Sequence, residues 1–292
     1  MISSISNSDG SMKRFLFQCL LVILFLFVLE GILYLSDVRF PTYNGTEVMQ
    51  AIKNSKSESG KRLLILGDSV CNQLYPSSDK YPDAVSLACN RAVTMAGHFF
   101  LMNNYFQANE SSLPERVVLV CSPSALQSDL DKFAFQYFLK PFFKKEYKPL
   151  FNDLLWKRIR QIPHFRLAAW PFIRISNYSF GYNLDSEEGY ALVSPLNHSY
   201  LEAMQELAAS HQVDFQLFCA PARAGKRTEI LSSIDKGVEN NELDGSLLST
   251  YKNTLAFYPD SLFVDDHHFI ISKIPDDPFG LLHSFPSSNP SR

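Results

Sequence analysis

The chain has 292 residues, 46% of them hydrophobic, and a formal charge of −3. That length supports one large α/β domain with room for an inserted subdomain. The near balance of charge leaves no basic footprint for nucleic acid, so a nucleic-acid partner is not expected.

In chain order, the first predicted element is residues 15–35, FLFQCLLVILFLFVLEGILYL, apolar except for Gln18 and Glu30. A helix needs roughly 20 such residues to span a bilayer. Lys13 and Arg14 precede the run and few cations follow it closely. The positive-inside tendency then keeps residues 1–14 cytoplasmic and translocates the rest. The run is longer than a signal-peptide core and lacks a small-x-small site behind it, so an uncleaved single-pass anchor over 15–36 is expected, with the domain extracytoplasmic. Glu30 lies near the outer end of the span and is given no functional role. Residues 37–60 end in KNSKSESGK and read as a polar tether.

The folded domain is expected over 61–275. In KRLLILGDSVCNQLYP, residues 61–76, a buried strand over 62–67 stops at Gly67 and is followed at once by Asp68 and Ser69. A helix is predicted over 91–108, with 94–97 as a loop before it. Strands are predicted at 116–121 and 214–220, and a short one at 261–265. Helices are predicted at 199–211, opened by Ser199, and around 245–256. Continuous apolar strands alternating with helices imply a parallel sheet with helices on both faces. Residues 126–190 interrupt that rhythm with an aromatic, locally basic stretch carrying Lys140, Lys144, Lys145, Lys148, Lys157, Arg158, Arg160, Arg166 and Arg174. It reads either as a helical insertion with a solvated basic face, or as a lid or a surface for anionic headgroups or an anionic polymer. The 24 Phe and 13 Tyr suit a large core or an aromatic cleft. Residues 276–292 are Pro/Ser-rich and are expected to be irregular.

Cys19 lies in the apolar span, and Cys71, Cys89, Cys121 and Cys219 are scattered with no zinc-type spacing. A Cys71–Cys89 bridge is open to an oxidising exterior, and buried free thiols are the alternative. Asn44, Asn109, Asn177 and Asn197 stand in N-x-S/T sequons.

The chemistry centres on Ser69. In an open parallel sheet, ligands bind beyond the carboxyl ends of the strands, and Ser69 lies just past such an end. Either Asp68 or Ser69 simply caps the next helix, or Ser69 is a nucleophile that needs a base, an orienter for it and oxyanion donors. The late stretch Val264-Asp265-Asp266-His267-His268 offers the first two. Asp265 and His268 are three apart, a spacing one turn closes, so Asp265 can hold one ring nitrogen while the other faces Ser69. Cys71 breaks a G-x-S-x-G pattern at its last position, which counts against the α/β-hydrolase elbow. A metal reading at Asp68, Asp266 and His267 lacks typical ligand spacing. Arg223, in CAPARAGKR after the third strand, is either a cation for an anionic substrate group or a loop cation.

A strand ending in Gly67-Asp68-Ser69 and a late Asp265-Asp266-His267-His268 resemble the first and last blocks of the SGNH, or GDSL-type, hydrolase family. The resemblance covers roughly residues 61–125 and 200–270. It implies a flavodoxin-like three-layer α/β/α sandwich, with Ser69 as nucleophile, His268 as general base and Asp265 as its orienter. The backbone N–H groups of Ser69 and of Gly97, in TMAGHFF, would form the oxyanion hole. The family's GxND block is not matched: Cys121-Ser122-Pro123-Ser124-Ala125 has no Asn. Ser122, Ser124, Asn72, Asn103 or Asn104 would have to replace it, and one lost oxyanion donor costs about 10²–10³ in rate. The activity implied is that of a serine esterase or O-acyltransferase acting through an acyl-enzyme, without a cofactor, on an acylated carbohydrate, a cell-envelope polymer or a small-molecule ester. A non-catalytic member that binds or assembles an envelope polymer is the alternative.

Overall fold

The computed structural model describes residues 8–35, 46–79, 81–130, 134–168, 170, 191–243 and 245–283. Helix α1 (Ser8–Leu35) contains a 24-residue apolar stretch, Gly10–Leu33, that is long and apolar enough to cross a membrane. Helix α2 (Thr46–Ser55) follows. This corrects the expectation of a polar tether over 37–60: Val48, Ala51 and Ile52 are buried and join the core of the domain. Their spacing is helical, and the polar residues between them hid it.

Strand β1 (Leu63–Gly67), helix α3 (Ser69–Leu74) and strand β2 (Ala84–Ser86) come next. Then follow helix α4 (Thr94–Ala108), strand β3 (Arg116–Cys121) and the short helix α5 (Pro123–Gln127). Helix α6 (Asp153–Gln161) lies in the expected insertion. Helix α7 (Pro195–Ser210) is capped by Ser194, five residues earlier than Ser199. Strands β4 (Asp214–Cys219) and β5 (Ala222–Arg223), helices α8 (Arg227–Glu239) and α9 (Gly245–Thr254), and strand β6 (Phe257–Tyr258) complete the set.

The main sheet is parallel in the order β2-β1-β3-β4, and β5 pairs with β6 separately. The fold is thus mixed α/β with a four-stranded parallel sheet. Alternate residues of the central strands enter two different cores: Leu64, Leu66, Val117 and Leu119 on one face, Leu63, Ile65, Val118 and Val120 on the other. Both faces are buried, so the strands read as unbroken apolar runs. The chain leaves β1 to one side for β2 and to the other for β3. A crevice opens where such a sheet switches direction, at the carboxyl ends of β1 and β3.

The predicted strand at 261–265 is not one. Residues Asp260–Leu262 make a tight helical turn, and Phe263 bridges back to Phe269 instead of joining a sheet. Pro259 before it lacks an N–H for a ladder, and the stacked Phe263 and Phe269 rings, 4.4 Å apart, bury what a strand would have buried.

Part of the insertion, over 138–162, packs into the core. Phe100 of α4 packs against Phe138, Phe142, Tyr147 and Phe151, with ring centroids 5.4–6.2 Å apart. Each such ring contributes about 1.5–3 kcal/mol of burial, so this part is no detachable lid. The predicted tail also docks in part, because Asp277 accepts from Tyr75 Oη at 2.7 Å and Leu281 is buried. Cys71 and Cys89 are separate buried thiols, which corrects the possible bridge. Asn109 and Asn197 are fully buried clamps for backbone groups, so neither sequon is open to a glycan. Asn44 and Asn177 lie outside the described residues.

Candidate active site

The site starts from how β1 ends. A Cβ on Gly67 would lie 2.2 Å from the carbonyl oxygen of Val120, so only glycine lets the two strand ends close up here. Asp68 then turns inward and is 1% exposed. Its Oδ1 accepts from the N–H of Val70 at 2.9 Å and of Cys71 at 3.2 Å, capping α3. Its Oδ2 accepts from the N–H of Ser122 at 2.8 Å and from Ser122 Oγ at 2.6 Å. One carboxylate therefore caps the helix and ties β1 to β3. That leaves Ser69, the first residue of α3, uninvolved in capping. Its N–H has no partner within the helix.

Ser69 Oγ meets His268 Nε2 at 2.8 Å. His268 Nδ1 lies 2.9 Å from Asp265 Oδ2 and 3.2 Å from Oδ1. An ionised Asp265 can only accept, so the ring proton sits on Nδ1 and Nε2 turns its lone pair to the serine. Asp265 Oδ1 also accepts from the N–H of His267 at 2.8 Å and of His268 at 2.7 Å. Burial opposes its charge, but the N–H groups of His268 and His267 and the His268 ring outweigh it and lower its pKa to about 2. The carboxylate is thus charged at any working pH.

The loop that carries His268 is held from two sides. Gln73, one turn along α3 from Ser69, grips both backbone groups of Phe269: its Nε2 donates to the carbonyl at 3.2 Å and its Oε1 accepts the N–H at 2.9 Å. Arg223 Nη1 meets Asp266 Oδ1 at 2.8 Å and its Nη2 meets Asp260 Oδ2 at 3.0 Å. Arg223 is therefore a brace for the loop, in line with the loop-cation alternative and against the substrate-cation one. Asp68 and Asp266 are both engaged by other donors, so the trio considered for a metal is not assembled. Among the described residues no cluster of three His, Cys, Asp or Glu side chains suits a metal ion.

Gly97 is not in a loop. It is buried inside the first turn of α4, and a Cβ there would meet Val93 at 2.7 Å and Phe142 at 3.2 Å. The glycine serves close packing, and the loop expected over 94–97 is corrected to the first turn of a helix. The candidates for the missing Asn fare differently. Ser122 Oγ is spent on Asp68, and Ser124 Oγ takes Arg91 Nη1 at 3.3 Å. Asn104 is bonded to Ser55 and Tyr147, Asn103 lines a separate hollow, and Asn72 accepts from Ser77 N–H.

Three contributors carry no sequence motif. The segment after β2 runs on beside β1, with Cys89 N–H donating to Gly67 O at 3.0 Å, and delivers Asn90 and Arg91 to the site edge. Arg91 acts on His267, whose pKa burial lowers first and the guanidinium lowers further. Glu47 of α2 hydrogen-bonds Asn90 and feels the charge of His268, although burial raises its pKa overall. A cavity of about 200 Å³ lies beside the site, lined among others by Ser122, Ser124, Gln127, Asp266 and by Val70 and His267, the chain neighbours of Ser69 and His268 and not those two residues themselves.

Comparison with family models, curated proteins and solved structures finds no match to this chain.

Proposed function

We propose that the chain is a serine-dependent acyl-transfer enzyme, an ester hydrolase or O-acyltransferase, anchored by α1 with its domain extracytoplasmic. The observation that carries this reading is the unbroken series Ser69–His268–Asp265, each link within hydrogen-bond reach. The strand order β2-β1-β3-β4 supports a flavodoxin-like three-layer sandwich and, with the two motifs, kinship with the SGNH hydrolases.

In this reading Ser69 Oγ attacks an acyl carbonyl carbon while His268 Nε2 takes the hydroxyl proton. Asp265 holds Nδ1–H and stabilises the imidazolium that forms. The Ser69 N–H faces the developing oxyanion, and Arg91 is the cation available to balance charge at the same strand ends. His268 then returns its proton to the leaving oxygen, leaving an acyl-enzyme. Water, or a sugar hydroxyl deprotonated by the same His268, resolves it. The adjoining cavity, about 200 Å³, is smaller than the roughly 300–1,000 Å³ of drug-sized sites. It suits a short acyl group or one sugar ring, which favours a carbohydrate O-acetyl ester over a long-chain lipid ester.

A non-catalytic polymer-binding protein is the second reading, favoured by the capture of Ser122 Oγ by Asp68. A fluorophosphonate probe separates the two. One adduct on the wild type, absent from Ser69→Ala, is expected, along with a loss of about 10⁴-fold or more in ester turnover. A folded wild type that takes no adduct would sink the acyl-transfer reading.

A further inference from the structure

The exposed surface of the insertion has an unexplained chemistry. Between residues 140 and 166 the chain carries eight Lys or Arg against two acids, Glu146 and Asp153. The aromatic residues of this stretch mostly face the core, yet the cations lie over their outer faces. Arg160 sits 5.6 Å from the Trp156 ring centre, Arg166 5.7 Å from Phe165 and Lys148 4.4 Å from Phe143. Helix α6 buries Leu155 and Ile159, so the face it turns outward carries Lys157 and Arg160. Arg166 and Leu167 are exposed beside it.

A second observation says what that surface meets. Trp170 packs edge-on against Phe27 of α1, ring centroids 6.2 Å apart at 72°. Phe27 lies six residues before Leu33, the end of the apolar span. At 1.5 Å per residue that is about 9 Å inside the end of the span. Whatever depth α1 takes in a bilayer, Trp170 shares it with Phe27. Elements that lie in a membrane interface sit about 5–10 Å into the headgroup–acyl boundary, and Trp favours that zone.

We propose that residues 157–167, with Trp170, form a second membrane contact. Trp170 enters the outer leaflet beside α1, and Lys157, Arg160 and Arg166 lie against anionic lipid headgroups. The inference rests on α1 being a membrane anchor and is independent of the acyl-transfer chemistry. Continuity with α1 selects a lipid surface over a soluble anionic polymer.

Trp156 and Trp170 are the two tryptophans of the chain, which makes the test direct. Full-length Trp156→Phe protein is placed in phosphatidylcholine vesicles with and without phosphatidylglycerol, using lipids brominated at shallow or deep acyl positions. Trp170 emission is expected to lose most of its intensity with the shallow bromine, more so with phosphatidylglycerol present. Lys157→Glu, Arg160→Glu and Arg166→Glu together should remove the phosphatidylglycerol-dependent part. Release of the protein by alkaline carbonate would overturn the anchor and this inference with it. Retention with Trp170 unquenched would overturn this inference alone, and quenching indifferent to lipid charge would overturn its headgroup half.

Discussion

The two halves of the candidate site are built in opposite ways. Ser69 stands on the sheet: the strand end beneath it is buried, Gly67 lets Val120 close in, and Asp68 accepts four hydrogen bonds from β3 and α3. His268 hangs on a loop whose acid, Asp265, has a side chain 53% exposed and whose neighbour Val264 is 70% exposed. That loop is held by Gln73, by Arg223 and by one stacked pair, Phe263 and Phe269. Damage to the serine side should therefore register as lost stability. Damage to the histidine side should register as lost rate in a protein that still melts normally.

The largest effect expected is on the histidine side. Asp265→Asn keeps the shape but loses the charge that fixes the tautomer, and ester turnover should fall about 10³–10⁴-fold with a melting temperature lowered far less than by a core mutant. A drop in melting temperature as large as that of a core mutant would erase the contrast between the halves. Asp68→Ala is the counterpart. It leaves the N–H groups of Val70, Cys71 and Ser122 without acceptors in a dry site and should cost about 2–4 kcal/mol in denaturant unfolding. A variant as stable as the wild type would show that the strand ends do not need the tie.

The serine side should also be the acid-sensitive one. His98 of α4 is fully buried, neither ring nitrogen has a hydrogen-bond partner among the described residues, and burial lowers its pKa to about 4, within reach of the Asp68 charge. Its folded pKa lies below the ordinary 6.5, so between those values the unfolded chain binds the extra proton. Stability should fall as pH drops from about 6.5 towards 4, by up to about 3 kcal/mol. His98→Phe should flatten that slope, and an equally steep slope in the variant would assign it elsewhere. The smallest effect concerns Gln73→Ala, which frees Phe269 and lets His268 wander. Turnover should fall about ten- to a hundredfold through kcat, with KM and melting temperature nearly unmoved. A change confined to KM would mean that Gln73 touches substrate instead of positioning the loop.

What could be read from the chain alone follows the same divide. Strands β1 and β3 announce themselves because strands covered on both faces are continuous apolar runs. The Asp265–His268 spacing was readable because a single turn closes it. The braces were not, because Gln73 and Phe269 are 196 residues apart and nothing local marks either. Gly97 reads as a loop residue for a physical reason: a glycine can mark a loop or a tight helix contact, and only the neighbours Val93 and Phe142 distinguish the two. In sequence the aromatic insertion stays open between core and cleft, and its Phe and Tyr residues fill the space over Phe100, which no local pattern records.

Asp68 has one more consequence, in the time domain. Its four hydrogen bonds belong to the most buried part of the fold, so breaking them requires the opening of β1 from β3. The loop bearing His268 can open by releasing Gln73, Arg223 and the Phe263–Phe269 pair, a sub-global event with a smaller free-energy gap. The molecule should therefore lose and regain its base many times within one lifetime of its nucleophile. Amide protons of His267 and His268 would exchange with solvent on the short clock, and those of Val70, Cys71 and Ser122 on the long one.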